Sequence, residues 1–130
     1  MIKTIKKAKN ARIEGFVFIS SPYLAVLQNI TDKQYAMSLI RQYARFGCKK
    51  AMQNKAVPFS PILTFEGLFD EESQRDLIMD SCFEALSKCE ALYVIKTGYF
   101  SLSKGMQDEI AYARSIRLPI IEFDYEGVSK

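Results

Sequence analysis

The sequence predicts an α/β protein with a three-layer, Rossmann-like or flavodoxin-like fold and a sheet of four or five mainly parallel strands. Three short segments, at residues 16–20, 91–95 and 119–123, have the nearly unbroken hydrophobicity of strands buried on both faces of a sheet. Segments with the helical spacing of apolar residues lie between them. Because strands and helices alternate along the chain, we expect right-handed crossovers between parallel strands.

The first half of the chain predicts two strands joined by a long helix. The first strand is residues 16–20, and residues 31–34 (Thr-Asp-Lys-Gln) form a capping-box pattern that opens the helix. Gly47 interrupts the apolar stripe, so the helix either bends there or continues to Asn54, which suits a C-terminal cap. Residues 56–59 contain one proline and are followed closely by another, which predicts a short edge strand.

The second half predicts two further strands, each preceded by a helix. Residues 62–72 form a loop or a short helical turn, whose apolar side chains either pack beneath it or cover a ligand or a subunit contact. A helix with its own apolar stripe then leads into the third strand, residues 91–95. A glycine-containing loop, residues 97–105, opens the last helix, residues 104–117, which leads to the fourth strand at 119–123.

Length and composition indicate one globular domain. The chain has 130 residues, of which 48% are hydrophobic and 25% charged, enough for one core and too few for two ordinary domains. We expect a basic arm over residues 1–12 and a single α/β domain over residues 13–130. No apolar run approaches the ~20 residues that span a bilayer. Three cysteines without metal-site spacing indicate reduced thiols and a cytoplasmic protein.

Charge and residue types narrow the possible chemistry. The chain has no histidine, which excludes His-based triads and His–zinc sites and leaves acid–base work to carboxylates, Tyr, Lys or Cys. Residues 1–55 carry eleven basic and two acidic side chains, whereas residues 56–130 carry seven and thirteen. The basic half could face nucleic acid, solvent or the acidic half of a second subunit. The pattern of interleaved arginines and aromatic residues that is typical of a nucleic-acid module is not visible, which disfavours nucleic acid.

Candidate functional residues lie at the start of the last helix. Ser103 is a candidate N-cap, and Gly105 would let a ligand approach the backbone of the first turn. The free N–H groups and the helix dipole there suit a phosphate or a hydroxyl-rich group. Glu109 follows in the second turn and is either a solvated helix residue or a catalytic carboxylate. It lies beside an apolar stripe that should face the sheet, namely Met106, Ile110, Ala113 and Ile116.

A second group of candidates follows the first strand, in the order Ser20, Ser21, Pro22 and Tyr23. Their hydroxyl groups would enter the same crevice as the Ser103 loop if the first and third strands are neighbours, because ligands bind at the carboxyl ends of parallel strands. Tyr23 could orient a carboxylate, stack on a flat ligand, or simply pack at the edge of the sheet.

Three segments carry a resemblance to a known family. They read Val-Phe-Ile-Ser-Ser-Pro-Tyr at 17–23, Cys-Glu-Ala-Leu-Tyr-Val at 89–94, and Ser-Lys-Gly-Met-Gln-Asp-Glu-Ile-Ala-Tyr-Ala at 103–113, followed by Leu-Pro-Ile at 118–120. Over about residues 16–123 the chain resembles the nucleoside 2-deoxyribosyltransferase-like superfamily, in particular a short bacterial and phage branch related to the deoxynucleoside 5′-monophosphate N-glycosidases. The third segment is the most specific, because in that family a small-residue loop leads to a glutamate and then to a Gly/Ala-Tyr-Ala-like helix.

The resemblance implies cleavage or transfer at the N-glycosidic bond of a nucleoside or a nucleoside 5′-monophosphate. Glu109 would attack C1′ to form a glycosyl-enzyme, which a second base or water would resolve, and Tyr23 would position Glu109. The resemblance also implies a homo-oligomer, a dimer or higher, with no metal ion and no organic cofactor. The implied ligand-binding residues are Ser20, Ser21, Pro22, Ser103, Gly105 and Met106.

The chain departs from that family at two acids. Residues 98–102 contain no acid where the family's transferases carry an aspartate, and Cys82 aligns with a second family aspartate. Asp80 is close to Cys82 on the same helix and is the candidate catalytic substitute. Loss of both acids would leave a non-catalytic nucleotide-binding or sensing module, which is the alternative function.

Overall fold

The core of the protein is a sheet of four parallel strands, which are β1 (Phe16–Ser20), β2 (Val57–Phe59), β3 (Ala91–Lys96) and β4 (Ile120–Asp124). Their spatial order is β2-β1-β3-β4. The computed structural model describes residues 15–68 and 73–125. The central pair is β1 and β3, in which Phe18 lies opposite Leu92, and β2 and β4 form the two edges.

Helices cover both faces of this sheet, which confirms the predicted three-layer α/β architecture. Val17 and Tyr93 point to the face covered by α2 (Lys33–Gln53), whereas Phe18 and Leu92 point to the face covered by α4 (Arg75–Ser87) and α5 (Lys104–Ser115). Neighbouring residues of β1 therefore serve opposite layers, as the pleat of a strand requires. The helices are α1 (Leu24–Asn29), α2 (Lys33–Gln53), α3 (Pro61–Phe65), α4 (Arg75–Ser87) and α5 (Lys104–Ser115), and Phe100–Leu102 form a 3-10 turn.

The long helix α2 is continuous, so the bend considered at Gly47 does not occur. A Cβ at Gly47 would lie 2.5 Å from Cγ2 of Ile19, which means that the glycine lets α2 lie close against the sheet. The N-cap is Asp32 rather than Thr31: its Oδ1 accepts hydrogen bonds from two first-turn N–H groups, at 3.1 and 3.2 Å. Asn54 is the C-cap, as predicted.

The segment after β2 forms the short helix α3, one of the two alternatives predicted for it. Ser60 is its N-cap and accepts a hydrogen bond from a first-turn N–H at 3.2 Å. Phe65 packs on Phe59 with 6.1 Å between ring centroids and joins the core beneath the segment. Residues 69–72 of the predicted loop and the predicted basic arm, residues 1–12, lie outside the described residues.

The apolar stripe of α5 is shorter than the sequence predicts. Met106, Ile110 and Ala113 are buried in the core, as expected. Ile116 is 40% exposed, so the prediction that it faces the sheet is wrong. The helix has already ended there, because Ile116 is the C-cap residue and Arg117 adopts a left-handed conformation with φ of 61°.

The carboxyl ends of β1 and β3 are neighbours, and the chain leaves them in opposite directions. After β1 it runs through α2 to β2 on one face, and after β3 it runs through α5 to β4 on the other. This is the topological switch point at which open α/β sheets bind ligands, and the predicted crevice lies here. Among the helices in the described part of the chain, none is both long and apolar enough to cross a membrane.

Candidate functional site

A cavity of about 850 Å³ lies at this switch point. Its volume falls within the roughly 300–1,000 Å³ typical of small-molecule sites. The segment after β1 and α1 form one part of its wall, the start of α3 and the inner side of α4 form another, and the first two turns of α5 complete it. Residues from distant parts of the sequence therefore meet in one place.

Glu109 lies in the wall of this cavity and is buried, so the interpretation of it as a solvated helix residue is wrong. Its side chain belongs to the second turn of α5 and is only 7% exposed. Ser20, the last residue of β1, donates a hydrogen bond from Oγ to Glu109 Oε1 at 2.6 Å. A strand end and a helix start, 89 positions apart in the sequence, thus hold one carboxylate between them.

The surroundings of Glu109 change its acidity. Burial raises the pKa of its carboxyl group to about 7, because the charged form loses its hydration. The hydrogen bond from Ser20 and the positive charge of Arg75 lower the pKa, and the negative charge of Asp108 raises it. Near neutral pH the carboxyl group can therefore be ionised, as a nucleophile or base must be, or protonated, as an acid must be.

Ser21 contributes a hydroxyl group that the fold itself does not use. Its side chain is 8% exposed and lines the cavity, and its Oγ finds no hydrogen-bond partner among the described residues. A buried hydroxyl without a partner is costly, because it has lost its water and gained nothing in return. Such a group is available to a hydroxyl or phosphate oxygen of a ligand.

The start of α5 has the predicted loop geometry. Ser103 is the N-cap: its buried Oγ accepts a hydrogen bond from the N–H of Met106 at 3.3 Å. Ser103, Gly105 and Met106 all line the cavity. The space beside Gly105 is occupied by Arg75, since a Cβ at Gly105 would lie 2.7 Å from Nη2 of that residue.

The other predicted site residues differ in how they reach the cavity. Tyr23 lines it, just before α1, and the hydrogen bond that the structure shows on Glu109 comes from Ser20. Asp80 is exposed and lines the cavity from α4, and Cys82 lines it from a buried position on the same helix. Pro22 is almost fully buried and does not belong to the lining, so it can only shape the turn after β1.

Several lining residues could not be recognised from the sequence. No sequence pattern indicates α1, which contributes Leu24 and Gln28, because this helix has six residues and no side-chain cap. Arg75 and Asp76 open α4 and face the cavity, but a charged pair at a helix start carries no signal of function. Within residues 15–68 and 73–125, the His, Cys, Asp and Glu side chains form no group of three that could hold a metal ion.

Fold and site together define a three-layer α/β protein with a buried carboxylate beside a cavity at the topological switch point of its sheet. The chain belongs to a protein family described as a domain of unknown function, DUF7768, whose match covers residues 15–123. That range includes β1, β2, β3, all of β4 except its last residue, and every cavity residue named above. No curated protein matches the sequence.

Proposed function

We propose that the protein cleaves or transfers at the N-glycosidic bond of a nucleoside or a nucleoside 5′-monophosphate, with Glu109 as the nucleophile. The observation that carries this proposal is the position of Glu109: a buried carboxylate in the wall of a ligand-sized cavity, with its Oε1 fixed by Ser20. The resemblance to the nucleoside 2-deoxyribosyltransferase-like superfamily gives the same residue the same role.

The proposed reaction has two steps. An ionised oxygen of Glu109 attacks C1′ of the sugar, the bond from C1′ to the base nitrogen breaks, and its electron pair leaves with the base, which takes up a proton. Water or a second base then attacks C1′ and releases the sugar from Glu109 with retention of configuration. The transition states resemble an oxocarbenium ion, which the negative charge of the carboxylate stabilises.

Neighbouring side chains fit the remaining tasks. Ser20 orients the carboxylate, and the free Oγ of Ser21 can bond a sugar hydroxyl or a phosphate oxygen. The first turn of α5, where Lys104 and Gly105 follow the Ser103 cap, lines the same cavity, and the start of a helix suits an anionic or hydroxyl-rich part of the ligand. Tyr23 lines the cavity near the end of β1, where it can contact the sugar or the base.

The departing base needs a proton from a group other than Glu109, and we assign this role to a carboxyl group on α4, which forms part of the cavity wall. Asp80 lines the cavity there, one turn of helix beyond Asp76, which lines it as well. Both carboxylates belong to a different element from Glu109, so the ligand can lie between nucleophile and acid. Asp80 and Asp76 are therefore candidates for the acid that is missing from residues 98–102.

The test is incubation of the purified protein with a panel of nucleosides and 5′-monophosphates, with and without a second free base. Base release or exchange is followed by chromatography. Glu109→Gln should lower the rate by roughly a thousandfold or more, because it removes the nucleophile while keeping its shape. The matched control is Glu84→Gln, an exposed glutamate of α4, which should leave the rate unchanged. A substrate that Glu109→Gln turns over at the wild-type rate would contradict the proposal.

The second candidate is a nucleotide-binding or sensing module without turnover. One observation favours it. The 3-10 turn Phe100–Leu102 lies where the transferases of the superfamily that the chain resembles carry an aspartate, and this turn contributes Leu102 to the cavity lining. The same ligand panel separates the two candidates. Thermal stabilisation by a nucleotide without release or exchange of the base would support the binding module.

A further inference from the structure

Arg75 and Gly105 meet at the cavity, from α4 and α5 respectively. A Cβ at Gly105 would lie 2.7 Å from Nη2 of Arg75 and 3.9 Å from its Cζ. Contacts below 3.0 Å are essentially never made by a real Cβ, so any other residue at this position would displace the guanidinium group. Because Gly105 has no side chain, the end of the Arg75 side chain can lie against the first turn of α5.

Glu109 lies one helical turn beyond Gly105 on the same side of α5, because residues four apart share a face of a helix. A cation seated over Gly105 therefore lies over the turn that leads to the carboxylate. All three residues line the same cavity. The electrostatic effect of Arg75 on Glu109 agrees with this placement, since its charge lowers the pKa of the Glu109 carboxyl group against the larger, opposing effect of burial.

We propose that Arg75 is a positioning residue for Glu109: its guanidinium group, seated in the space that Gly105 leaves open, favours the ionised form of the buried carboxyl group. An ionised Glu109 is what a nucleophilic attack requires, and this consequence rests on the proposed function. The effect of Arg75 on the charge of Glu109 is independent of the proposed function.

The other groups around Glu109 do not replace Arg75 in this role. Ser20 on β1 donates a hydrogen bond but carries no charge. Asp108, the preceding residue of α5, opposes ionisation of Glu109 and is itself bonded to the exposed Lys104 at 3.0 Å. Lys104 is the other cation of the described cavity lining, but it is exposed and paired with Asp108. The remaining titratable groups of that lining, which are Tyr23, Asp76, Asp80 and Cys82, cannot supply a positive charge.

The test follows the titration of Glu109 by carboxyl-carbon NMR in protein labelled at glutamate, with the Glu109 signal assigned by its absence in Glu109→Gln. The signal of the wild type should titrate near pH 7. In Arg75→Met it should titrate about one pH unit higher, which lowers the ionised fraction at pH 7 about fivefold. Arg75→Lys keeps the charge and should remain close to the wild type.

Gly105→Ala tests the geometric part of the inference without touching Arg75. Its Cβ displaces the guanidinium group, so the titration should move upward as in Arg75→Met. The double variant should titrate no higher than Arg75→Met alone, because the two substitutions remove one interaction. The matched control is Lys88→Met, which removes the same charge from the far end of α4 and should leave the Glu109 titration unchanged.

Two results would overturn the inference. One is a Glu109 signal that titrates alike in Arg75→Met, Lys88→Met and the wild type. The other, which decides the matter if Arg75→Met does not fold, is an unchanged titration in Gly105→Ala. Since no substrate is present, the shift can appear in a protein that releases no base, and that outcome would refute the proposed function while supporting the role of Arg75.

Discussion

The two faces of the sheet use the same strands for different purposes. The face under α2 is packed mainly with apolar side chains, and Gly47 lets the helix lie close against Ile19 of β1 and Ile95 of β3. The face under α4 and α5 begins in the same way at Phe18 but ends in polar groups. Ser20, two positions further along β1, points to that second face and bonds Glu109.

This difference shows which buried groups lower the stability of the protein. Burying a carboxyl group and an unpartnered hydroxyl group is unfavourable unless something else requires them. Both stand at the carboxyl ends of the strands, beside the cavity, whereas the polar group beneath α2 is satisfied: Asn54 Nδ2 donates to the Tyr93 hydroxyl at 3.1 Å. Substitutions on the two faces should therefore affect stability with opposite signs.

The largest effect is expected at Glu109 and depends on pH. Its pKa is about 7 in the folded protein and near the ordinary 4.5 when unfolded, so between these values the folded state binds more protons. The free energy of unfolding should then fall as pH rises from 4.5 to 7, by about 3 kcal/mol, and stay level above. Glu109→Gln cannot ionise and should lack this fall, as urea unfolding at several pH values would show.

Glu84→Gln is the control for that measurement. Glu84 is exposed on α4, and its hydrogen bond with Lys88 lowers the pKa of its carboxyl group. Glu84→Gln should therefore lower the free energy of unfolding slightly at high pH, which is opposite in sign to the effect expected for Glu109→Gln. Parallel stability curves for the wild type and Glu109→Gln would mean that the Glu109 carboxyl group keeps its ordinary acidity in the folded protein.

The next effect belongs to the opposite face. Gly47→Ala places a Cβ 2.5 Å from Ile19 and 3.0 Å from Ile95, which should lower the free energy of unfolding by about 2 kcal/mol despite the better helix propensity of alanine. Gly98→Ala is the matched control, because a Cβ there meets nothing within 4 Å and should cause no loss. Equal stability of the two variants would show that α2 can move away from the sheet at little cost.

The sequence predicts the face under α2, here called the closed face, more completely than the face under α4 and α5, here called the open face. The buried strands at 16–20 and 91–95 are visible as continuous apolar runs, and the long helix is visible as a stripe with caps, because these signals are local. What Gly47 does could not be read from the same pattern. A glycine that bends a helix and a glycine that admits a neighbouring strand look identical until the neighbour is known.

The site shows the same limit. Ser103 and Glu109 could be predicted as part of a strand–loop–helix unit, since loop and helix follow each other in the chain. The burial of Glu109 could not be predicted, because its position only borders the apolar stripe and its contact with Ser20 is not visible in the sequence. The role of Arg75 depends on how the start of α4 packs over α5, a tertiary contact for which a single arginine gives no signal.

The smallest effect compares two buried serines. Ser21 Oγ has no partner among the described residues, whereas Ser60 Oγ caps α3 by accepting a hydrogen bond from the N–H of Leu63. Ser60→Ala should therefore lower the free energy of unfolding by about 1 kcal/mol. Ser21→Ala removes only an unsatisfied group and should leave the stability equal or up to about 1 kcal/mol higher.

Urea unfolding of both variants at one pH measures the sign of this difference, which matters more than its size. A gain in stability for Ser21→Ala, together with weaker ligand binding, would identify a hydroxyl group that the fold tolerates for the sake of the cavity. A loss as large as that of Ser60→Ala would mean that the Ser21 hydroxyl group stabilises the fold itself. In that case the contrast between the closed face and the open face would rest on Glu109 alone.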